Sequence, residues 1–501
     1  MIPYFLALFG GLFVALAHPK VSWSYLAFLS LAFLLEAQRQ APQRAARLFF
    51  LGAWVYFVFL LYWLVPVMTH FGGLPFPAAA GVLGLLAAYL ALYWVLPLYL
   101  ARGLGFLNPG LSGALGLASL FTLFEFLRAK VPFAFPWGLL GTTQYKETFL
   151  IQIADWGGVF AVTFLVVLVN YAVFSFVSAR KKAPLLLAVL CLLGAYFYGA
   201  WRLGVPLHGV SQKMGLIQGN IPQDLKWERE ILQETLAKYQ RLSLRAIKKG
   251  AEILLWPETA IPTYFSPENP LFRGLFAWVR EIQRPLIFGA PRLVREGGKL
   301  KIHNSLILVR PDGKVAIYDK QQLVPFGEFV PFEDRLPWLR RFAVASGEYS
   351  PGSQRGLLPL RKDQKFGPLI CFESIFPSLA RGRVRDGATI LLVATNDAWF
   401  GTTAGPYQHF VQAVFRAVET RRYVVRIANT GISGLIDPFG RIRYKTPLEK
   451  EAAPCVEAKH LAYFSWYVRY GDVFVFFCLV LALLLGAKSI LGRKRYEKEE
   501  A

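Results

Sequence analysis

Eight apolar segments constrain the fold of this 501-residue chain more than any other feature. A helix needs roughly 20 mainly apolar residues to cross the hydrocarbon core of a bilayer, and several segments reach that length. They are residues 2–17, 21–37, 47–67, 77–101, 109–128, 157–178, 184–201 and 473–491. With 55% hydrophobic and 17% charged residues and a mean hydropathy of +0.40, the chain lies outside the soluble globular class. The pattern predicts a polytopic α-helical membrane domain of about eight spans, in which residues 2–37 form two spans or one re-entrant hairpin.

The charged residues lie mainly between the seventh and eighth segments. Lys and Arg exceed Asp and Glu by 55 to 32 in the whole chain and by 39 to 25 in residues 202–472. A basic surface of this kind binds nucleic acid or lipid headgroups, and the flanking spans favour lipid because they tether the block to a bilayer. We therefore expect the bilayer as a partner and no nucleic acid.

The charges of the short loops predict the orientation, because cytoplasmic loops collect Lys and Arg. With both termini in the cytoplasm, the inner loops and the tail hold eleven such residues and the outer loops hold four. This predicts about seven transmembrane helices in residues 1–201, a charged domain on the outer face in residues 202–472, and a last helix with a basic cytoplasmic tail in residues 473–501.

The charged block alternates short β-branched runs with amphipathic stretches, which predicts a layered α/β domain. Two turn sequences, Pro311-Asp312-Gly313 and Asp437-Pro438-Phe439-Gly440, predict hairpins. The predicted strands are Met214–Gln218, Glu252–Trp256, Leu286–Gly289, Ser305–Val309, Val315–Tyr318, Pro368–Cys371, Thr389–Ala394 and Val424–Ala428, and the predicted helices are residues 228–249, 271–283 and 406–422.

Three motifs place a reactive side chain at the end of a predicted strand, where open α/β sheets present their sites. The first is LLWPETA, which contains Glu258. A carboxylate directly after a buried strand is partly desolvated, and such a group is a competent proton acceptor. The alternative is that Glu258 caps the N-terminus of a following helix.

The second motif is YDKQQLVPFGEFVPFE, which contains Lys320 and Glu328. A lysine near a reacting carbonyl stabilises an oxyanion, and a carboxylate can position that lysine. Most lysines are solvated surface groups, which is the alternative for Lys320. Two prolines and a glycine in this loop fix its backbone more than a surface turn requires.

The third motif is GPLICFESIF, in which Cys371 follows an apolar strand. A nearby cation lowers the pKa of a thiol, and a nearby base can take its proton. The alternative is an inert buried cysteine, as expected for Cys191 and Cys478 within the apolar segments. The sequence contains no C-x-x-C, H-E-x-x-H or G-x-x-x-x-G-K pattern, so we expect no metal and no cofactor.

The three motifs occur in the order Glu, Lys, Cys, which resembles the catalytic triad of the nitrilase (carbon-nitrogen hydrolase) superfamily. Over nearly its whole length the chain resembles the membrane branch of that superfamily, the apolipoprotein N-acyltransferases. The resemblance rests on the stretches QGNIPQDLKW, LLWPETA, YDKQQLVPFGEF, ICFESIF, NDAWFG and RAVETRRYVVRIANTGISG.

The resemblance implies an α-β-β-α sandwich in residues 202–472 that acts as the periplasmic catalytic domain of a monomer in the bacterial inner membrane. It implies Glu258 as general base, Lys320 as oxyanion stabiliser and Cys371 as nucleophile, with Glu328 and Glu373 in support. Phe372 stands where a tyrosine often follows the nucleophile, and its backbone N–H could serve an oxyanion hole.

The resemblance also implies a ping-pong reaction. A phospholipid, usually phosphatidylethanolamine, gives its acyl chain to the cysteine as a thioester. The α-amine of a diacylglyceryl-modified cysteine, at the N-terminus of an apolipoprotein, then accepts the acyl chain.

Both of these substrates are anchored in a membrane, so the site needs a lateral entrance. We expect Trp227, Trp399, Phe400 and Trp137 at this entrance, although any one aromatic side chain could equally belong to the core. Glu125 lies within an apolar segment, where a charge is costly unless it is functional or paired, and Arg128 is one turn away.

Two other functions are compatible with parts of the pattern. A membrane-tethered amidase would pass the acyl group to water and would use the same triad. A transporter with a degenerate α/β domain would carry ionisable residues in several spans, whereas Glu125 is the clearest such residue here.

Overall fold

A computed structural model of the chain describes residues 1–131, 133–224, 226, 229–342, 349–353 and 356–500. Contacts between residues divide it into two units. The helical unit comprises Met1–Val65, Phe76–Val205 and Arg469–Ala501, and the sandwich unit comprises Pro66–Pro75 and Pro206–Val468.

Helices dominate the chain before residue 206 and after residue 465. They are α1 (Ile2–Ala17), α2 (Ala27–Gln40), α3 (Ala45–Leu60), α4 (Leu64–His70), α5 (Phe76–Gly103), α6 (Leu111–Arg128), α7 (Ala154–Gly157), α8 (Val159–Ala179), α9 (Lys182–Leu203), α14 (Trp466–Tyr470) and α15 (Val473–Glu500). Within the described residues, five helices are long and apolar enough to cross a bilayer, namely α5, α6, α8, α9 and α15. A sixth span results if α3 and α4 are taken together, and the expected total of eight stays a prediction.

The apolar segment at residues 47–67 is not one straight helix. α3 ends at Leu60, and α4 follows at an angle of 54°. Pro66 explains the break, because proline has no N–H to donate and is tolerated in the first turn of a helix but not in its interior. A new helix that begins at Leu64 places Pro66 in that first turn.

Glu125 and Arg128 form a buried ion pair on α6, with Nη2 of the arginine 2.8 Å from Oε1 of the glutamate. The second carboxylate oxygen accepts the backbone N–H of Leu140 at 2.6 Å. The guanidinium also donates to the backbone oxygens of Phe135 and Trp137, at 2.9 and 2.8 Å. Of the two alternatives for Glu125, a functional role or a pair with Arg128, the structure shows the pair, which stabilises the loop after α6.

Among its described residues the sandwich unit contains two six-stranded sheets, with strand orders β12-β1-β2-β3-β4-β5 and β11-β10-β9-β8-β7-β6. The strands are β1 (Val210–Leu216), β2 (Ile253–Leu255), β3 (Leu286–Glu296), β4 (Lys299–Val309), β5 (Val315–Asp319), β6 (Leu358–Arg361), β7 (Gln364–Ile370), β8 (Ile390–Thr395), β9 (Val424–Ala428), β10 (Gly434–Ile436), β11 (Ile442–Lys445) and β12 (Cys455–His460). Its longer helices are α10 (Arg229–Lys248), α11 (Pro270–Ile282), α12 (Pro377–Arg385) and α13 (Gly405–Thr420).

The alternation of side chains along each strand builds the layers. In β2, Ile253 and Leu255 join a core between the two sheets, whereas Leu254 joins a second core beneath α10 and α11. Successive strand residues point to opposite faces, so a fully apolar strand must be covered on both sides. Since α12 and α13 pack on the second sheet, the layers follow the order α-β-β-α, and the predicted fold is confirmed.

The structure contains each of the eight predicted strands and both predicted hairpin turns. Residues 311–313 join β4 to β5, and residues 437–440 join β10 to β11. Four strands were missed, namely β6, β10, β11 and β12. β10 has three residues and β6 and β11 have four each, and all four residues of β11 are exposed, so these strands lack a long apolar run. β12 has six residues, but apolar and polar residues are mixed along it.

Candidate active site

The three predicted site residues follow strands whose carboxyl ends lie at one edge of each sheet. β2 is parallel to β3, and β5 runs in the same direction because two antiparallel pairings separate it from β3. Glu258 follows β2, and Lys320 follows β5 directly. In the second sheet, Cys371 directly follows β7, which is parallel to β8.

Glu258 is buried, and hydrogen bonds hold both of its carboxylate oxygens. Oε1 accepts from Nδ2 of Asn304 at 2.8 Å, and Oε2 accepts the backbone N–H of Asn396 at 2.8 Å. The next helix begins only at Pro270, so the alternative that Glu258 caps a helix is wrong. The carboxylate is held in one orientation, as a general base requires.

A glycine allows the backbone on either side of Glu258 to lie close to β3. The N–H of Gly289 donates to the backbone oxygen of Pro257 at 3.1 Å. A Cβ atom at Gly289 would lie 2.7 Å from that oxygen and in steric overlap with the backbone nitrogen of Thr259. The position of Glu258 therefore depends on a residue without a side chain.

Lys320 is 1% exposed, so the alternative that it is a solvated surface lysine is wrong. Its Nζ lies 2.8 Å from Oε1 of Glu328 and 3.5 Å from Oε1 of Glu258. Burial disfavours the charged ammonium, but the two carboxylates outweigh this effect and raise the pKa of Lys320. The lysine therefore stays protonated, as an oxyanion stabiliser requires.

Cys371 lies at a sharp turn between β7 and a short 3₁₀ helix, Cys371–Ile375. Its φ of 50° is in the left-handed region, which non-glycine residues seldom adopt. Burial, and then the charge of Glu258, raise the pKa of the thiol, while Lys320 opposes them. Because the resting thiol is protonated, it needs a base before it can act as a nucleophile.

Glu373 is fully buried and connects the two halves of the site. Its Oε2 accepts the backbone N–H of Ile370, directly before Cys371, at 2.7 Å. Its Oε1 accepts from the hydroxyl of Tyr318 at 2.6 Å and from the backbone N–H of Gln321, directly after Lys320, at 2.8 Å. Glu373 therefore ties the lysine strand to the cysteine strand.

Sequence reasoning missed a buried group of three side chains behind Cys371. Asp397 accepts from Nη2 of Arg426 at 2.6 Å, and its Oδ1 lies 2.9 Å from Nδ1 of His409. Nε2 of His409 lies 3.0 Å from the backbone oxygen of Cys371 and 3.0 Å from Oγ of Ser374. The group stabilises the strained backbone of Cys371. Asp397 is the second residue after β8, so the strand-end argument could have found it.

Family comparisons cover most of the chain. The model of the apolipoprotein N-acyltransferase N-terminal domain matches residues 10–172, and the carbon-nitrogen hydrolase model matches residues 213–453. The apolipoprotein N-acyltransferase of Geobacter metallireducens is 40% identical over 97% of this chain and 94% of its own length. The chain belongs to the apolipoprotein N-acyltransferase family.

A second apolipoprotein N-acyltransferase, from Haemophilus influenzae, is 33% identical over 89% of this chain and 86% of its own length. Among solved structures, Nit3 of Saccharomyces cerevisiae, a member of the nitrilase superfamily, is 22% identical, with a TM-score of 0.40 over 50% of this chain and 91% of its own.

Three potential metal ligands in this apolipoprotein N-acyltransferase family member lie close together. The donor atoms of Cys371, Asp397 and His409 are within 4.8 Å of one another. However, Asp397 already binds the guanidinium of Arg426, and both nitrogens of His409 lie at hydrogen-bonding distance from protein groups. A cation would have to displace these partners, so the group fits a hydrogen-bond network better than a metal site.

The aromatic residues expected at the lipid entrance of an apolipoprotein N-acyltransferase occupy different places. Trp399 is partly exposed and contacts Phe71, with ring centroids 4.8 Å apart. Phe400 packs edge-on against the ring of His409, at 6.2 Å. Trp137 is 3% exposed and belongs to the helical unit, and Trp227 lies outside the described residues.

Phe372 is buried beside Phe376, with ring centroids 5.2 Å apart. Its side chain therefore belongs to an apolar contact. A contribution of Phe372 to the chemistry would come from its backbone N–H, and this role stays a prediction.

Proposed function

We propose that Glu258, Lys320 and Cys371 form the catalytic triad of an N-acyltransferase. The observation that carries the proposal is the arrangement of buried Glu258 and Lys320, whose charges act on the Cys371 thiol, with Glu328 paired to Lys320 at 2.8 Å. Family membership supports an acyl-transfer reaction.

In the first step, the carboxylate of Glu258 takes the thiol proton, and the thiolate attacks the ester carbonyl of a phospholipid. The ammonium of Lys320 stabilises the oxyanion of the tetrahedral intermediate. When the intermediate collapses, Glu258 returns the proton to the leaving glycerol oxygen. The products are a thioester on Cys371 and a lysophospholipid.

In the second step, the α-amine of a diacylglyceryl-modified cysteine attacks the thioester, and Glu258 takes a proton from the attacking nitrogen. The collapse of this intermediate forms the amide and releases the thiol. The acyl donor we propose is phosphatidylethanolamine, and the acceptor is a diacylglyceryl-modified apolipoprotein. The names of the curated relatives support the apolipoprotein as acceptor.

We further propose that residues 202–472 form the catalytic domain on the periplasmic face of the inner membrane, between the transmembrane helices of residues 1–201 and the last helix with its tail in 473–501. The surplus of Lys and Arg in the predicted inner loops supports this orientation, with both termini in the cytoplasm. Protease added to spheroplasts should cleave within residues 202–472, whereas cleavage only in inverted vesicles would reject the orientation.

The acyl-enzyme provides the test of the reaction. Purified protein incubated with phosphatidylethanolamine should gain one acyl mass, which hydroxylamine removes and which Cys371→Ala lacks. The absence of this adduct in the wild type would reject the proposal. Discharge by a diacylglyceryl-cysteine peptide, with only slow loss to water, supports a transferase, whereas rapid loss to water would favour an amidase-like hydrolase.

A further inference from the structure

A second lysine, Lys226, lies buried next to the catalytic glutamate. Its side chain is 4% exposed, and its Nζ donates to the backbone oxygen of Glu258 at 3.2 Å. An ammonium carries three hydrogens, and this is the one hydrogen bond of Nζ among the described residues. Burial of a cation with so few partners is costly, which indicates that the position serves the chemistry of the site.

The loop that carries Lys226 is fixed to the same part of the site. The side-chain Nδ2 of Asn396 donates to Oε1 of Gln223 at 2.7 Å, while its backbone N–H holds the carboxylate of Glu258. Oδ1 of Asn429 accepts the backbone N–H of Ile221 at 2.9 Å. The loop and the catalytic carboxylate therefore share one support.

The charge of Lys226 is sensitive to the state of the site. Burial lowers its pKa to about 8, and the negative charges of Glu258 and Cys371 partly oppose this shift. These two are the titratable groups that act on Lys226 among the described residues. Acylation removes the ionisable thiol of Cys371, so in the acyl-enzyme only Glu258 opposes the lowering of the Lys226 pKa by burial.

The second half of the proposed reaction needs two proton transfers from the acceptor nitrogen. The acceptor arrives as an α-ammonium, whose ordinary pKa is about 8. It must lose one proton before its lone pair can attack, and the attacking nitrogen must lose another. Glu258 can hold one of these protons, so a second base is needed.

We propose that the neutral amine of Lys226 accepts the first proton from the α-ammonium of the acceptor substrate. The lone pair of Nζ takes this proton, the N–H bond of the ammonium breaks, and a free amine and a lysyl ammonium result. Glu258 takes the second proton after attack and gives it to the departing Cys371 sulfur. The lysyl ammonium returns its proton to solvent before the next cycle. This inference rests on the proposed transferase function and assigns a catalytic residue beyond its triad.

The test uses the full-length protein with Lys226→Arg, since an arginine stays protonated and cannot act as the base. Acyl-enzyme formation with phosphatidylethanolamine should stay within about threefold of the wild type. Discharge by the diacylglyceryl-cysteine peptide at pH 7 should slow by roughly tenfold, because only about a tenth of an amine with a pKa of about 8 is free in solution at that pH. Discharge by hydroxylamine, which is uncharged at pH 7, should not change.

The matched control is Lys249→Arg. Lys249 also donates to a backbone oxygen, that of Ala453 at 3.1 Å, but it is exposed. Both steps should keep their wild-type rates in this variant. Raising the pH should restore peptide discharge by Lys226→Arg, because the free amine then forms in solution.

Equal slowing of peptide and hydroxylamine discharge would overturn the inference, because Lys226 would then only position the thioester. Slower acylation with unchanged discharge would also overturn the inference. It would indicate that Lys226 binds the phosphate of the phospholipid donor. Lys226→Gln is the second variant, and loss of acylation in both variants contradicts the inference as well. A wild type that forms no thioester would instead reject the proposed function itself.

Discussion

Oε1 of Glu328 lies 2.8 Å from Nζ of Lys320, and the other oxygen of Glu328 accepts the backbone N–H of Val324 at 2.9 Å. Lys320 is buried, and without Glu328 its ammonium would keep only the longer contact with Glu258, at 3.5 Å, among the described residues. Glu328 therefore both keeps Lys320 protonated and fixes its position within the loop.

Glu328→Gln should slow acyl-enzyme formation by about 10²-fold, because a misplaced lysine stabilises the oxyanion less. Single-turnover acylation measured by intact mass checks this expectation. The matched control is Glu333→Gln on the same loop, which loses only a largely exposed ion pair with Arg340. An acylation rate for Glu328→Gln equal to that of the control would show that Lys320 needs no carboxylate support.

Gly289→Ala should reduce acylation by at least about tenfold, because a Cβ at this position pushes against the backbone beside Glu258. Gly274→Ala is the control, since its Cβ would meet nothing within 4 Å and lies on a helix. We expect the control to keep its acylation rate and to gain slightly in thermal stability. Equal acylation rates in the two variants would mean that the loop around Glu258 tolerates displacement.

The sequence predicts the strand-end position of Glu258, Lys320 and Cys371 because each residue lies within three residues of the end of a predicted strand. The alternation of strands and helices predicts only a layered α/β domain, and the sandwich is what the family resemblance implies. The contacts that join the site across the two sheets cannot be predicted from any local sequence pattern. Glu373 bonds to residues next to Lys320 and Cys371, and these contacts depend on how the sheets pack.

The residues missed by sequence reasoning are those whose partners are distant in the chain. Lys226 contacts the backbone of Glu258, and His409 contacts the backbone of Cys371, through bonds that join separate elements. The periodicity of the sequence around a lysine or histidine in a helix or loop does not show whether its side chain makes such a contact. The break between α3 and α4 was missed for a different reason, because the apolar run continues through Pro66 and hides it.

Asp397→Asn should reduce the free energy of unfolding by about 3–5 kcal/mol, because it leaves the guanidinium of Arg426 buried without a counter-charge. The comparison is Asp312→Asn, which removes a solvent-exposed carboxylate that pairs with Arg310 and Lys314 and should change the free energy of unfolding far less. Thermal or denaturant unfolding in detergent measures both. Similar decreases in the free energy of unfolding of the two variants would show that water reaches Arg426.

His409 should make the stability of the folded protein depend on pH. Burial, and then Arg426, lower its pKa below the ordinary value of 6.5, so the folded protein holds a neutral imidazole. As the pH falls through about 6.5, the unfolded chain takes up a proton that the folded protein does not, and the folded state loses stability. The thermal stability of the wild type relative to His409→Gln should therefore be greatest above that pH and should decrease toward pH 5. A difference for His409→Gln that stays constant from pH 8 to pH 5 would show that His409 is protonated in the folded protein as readily as in the unfolded chain.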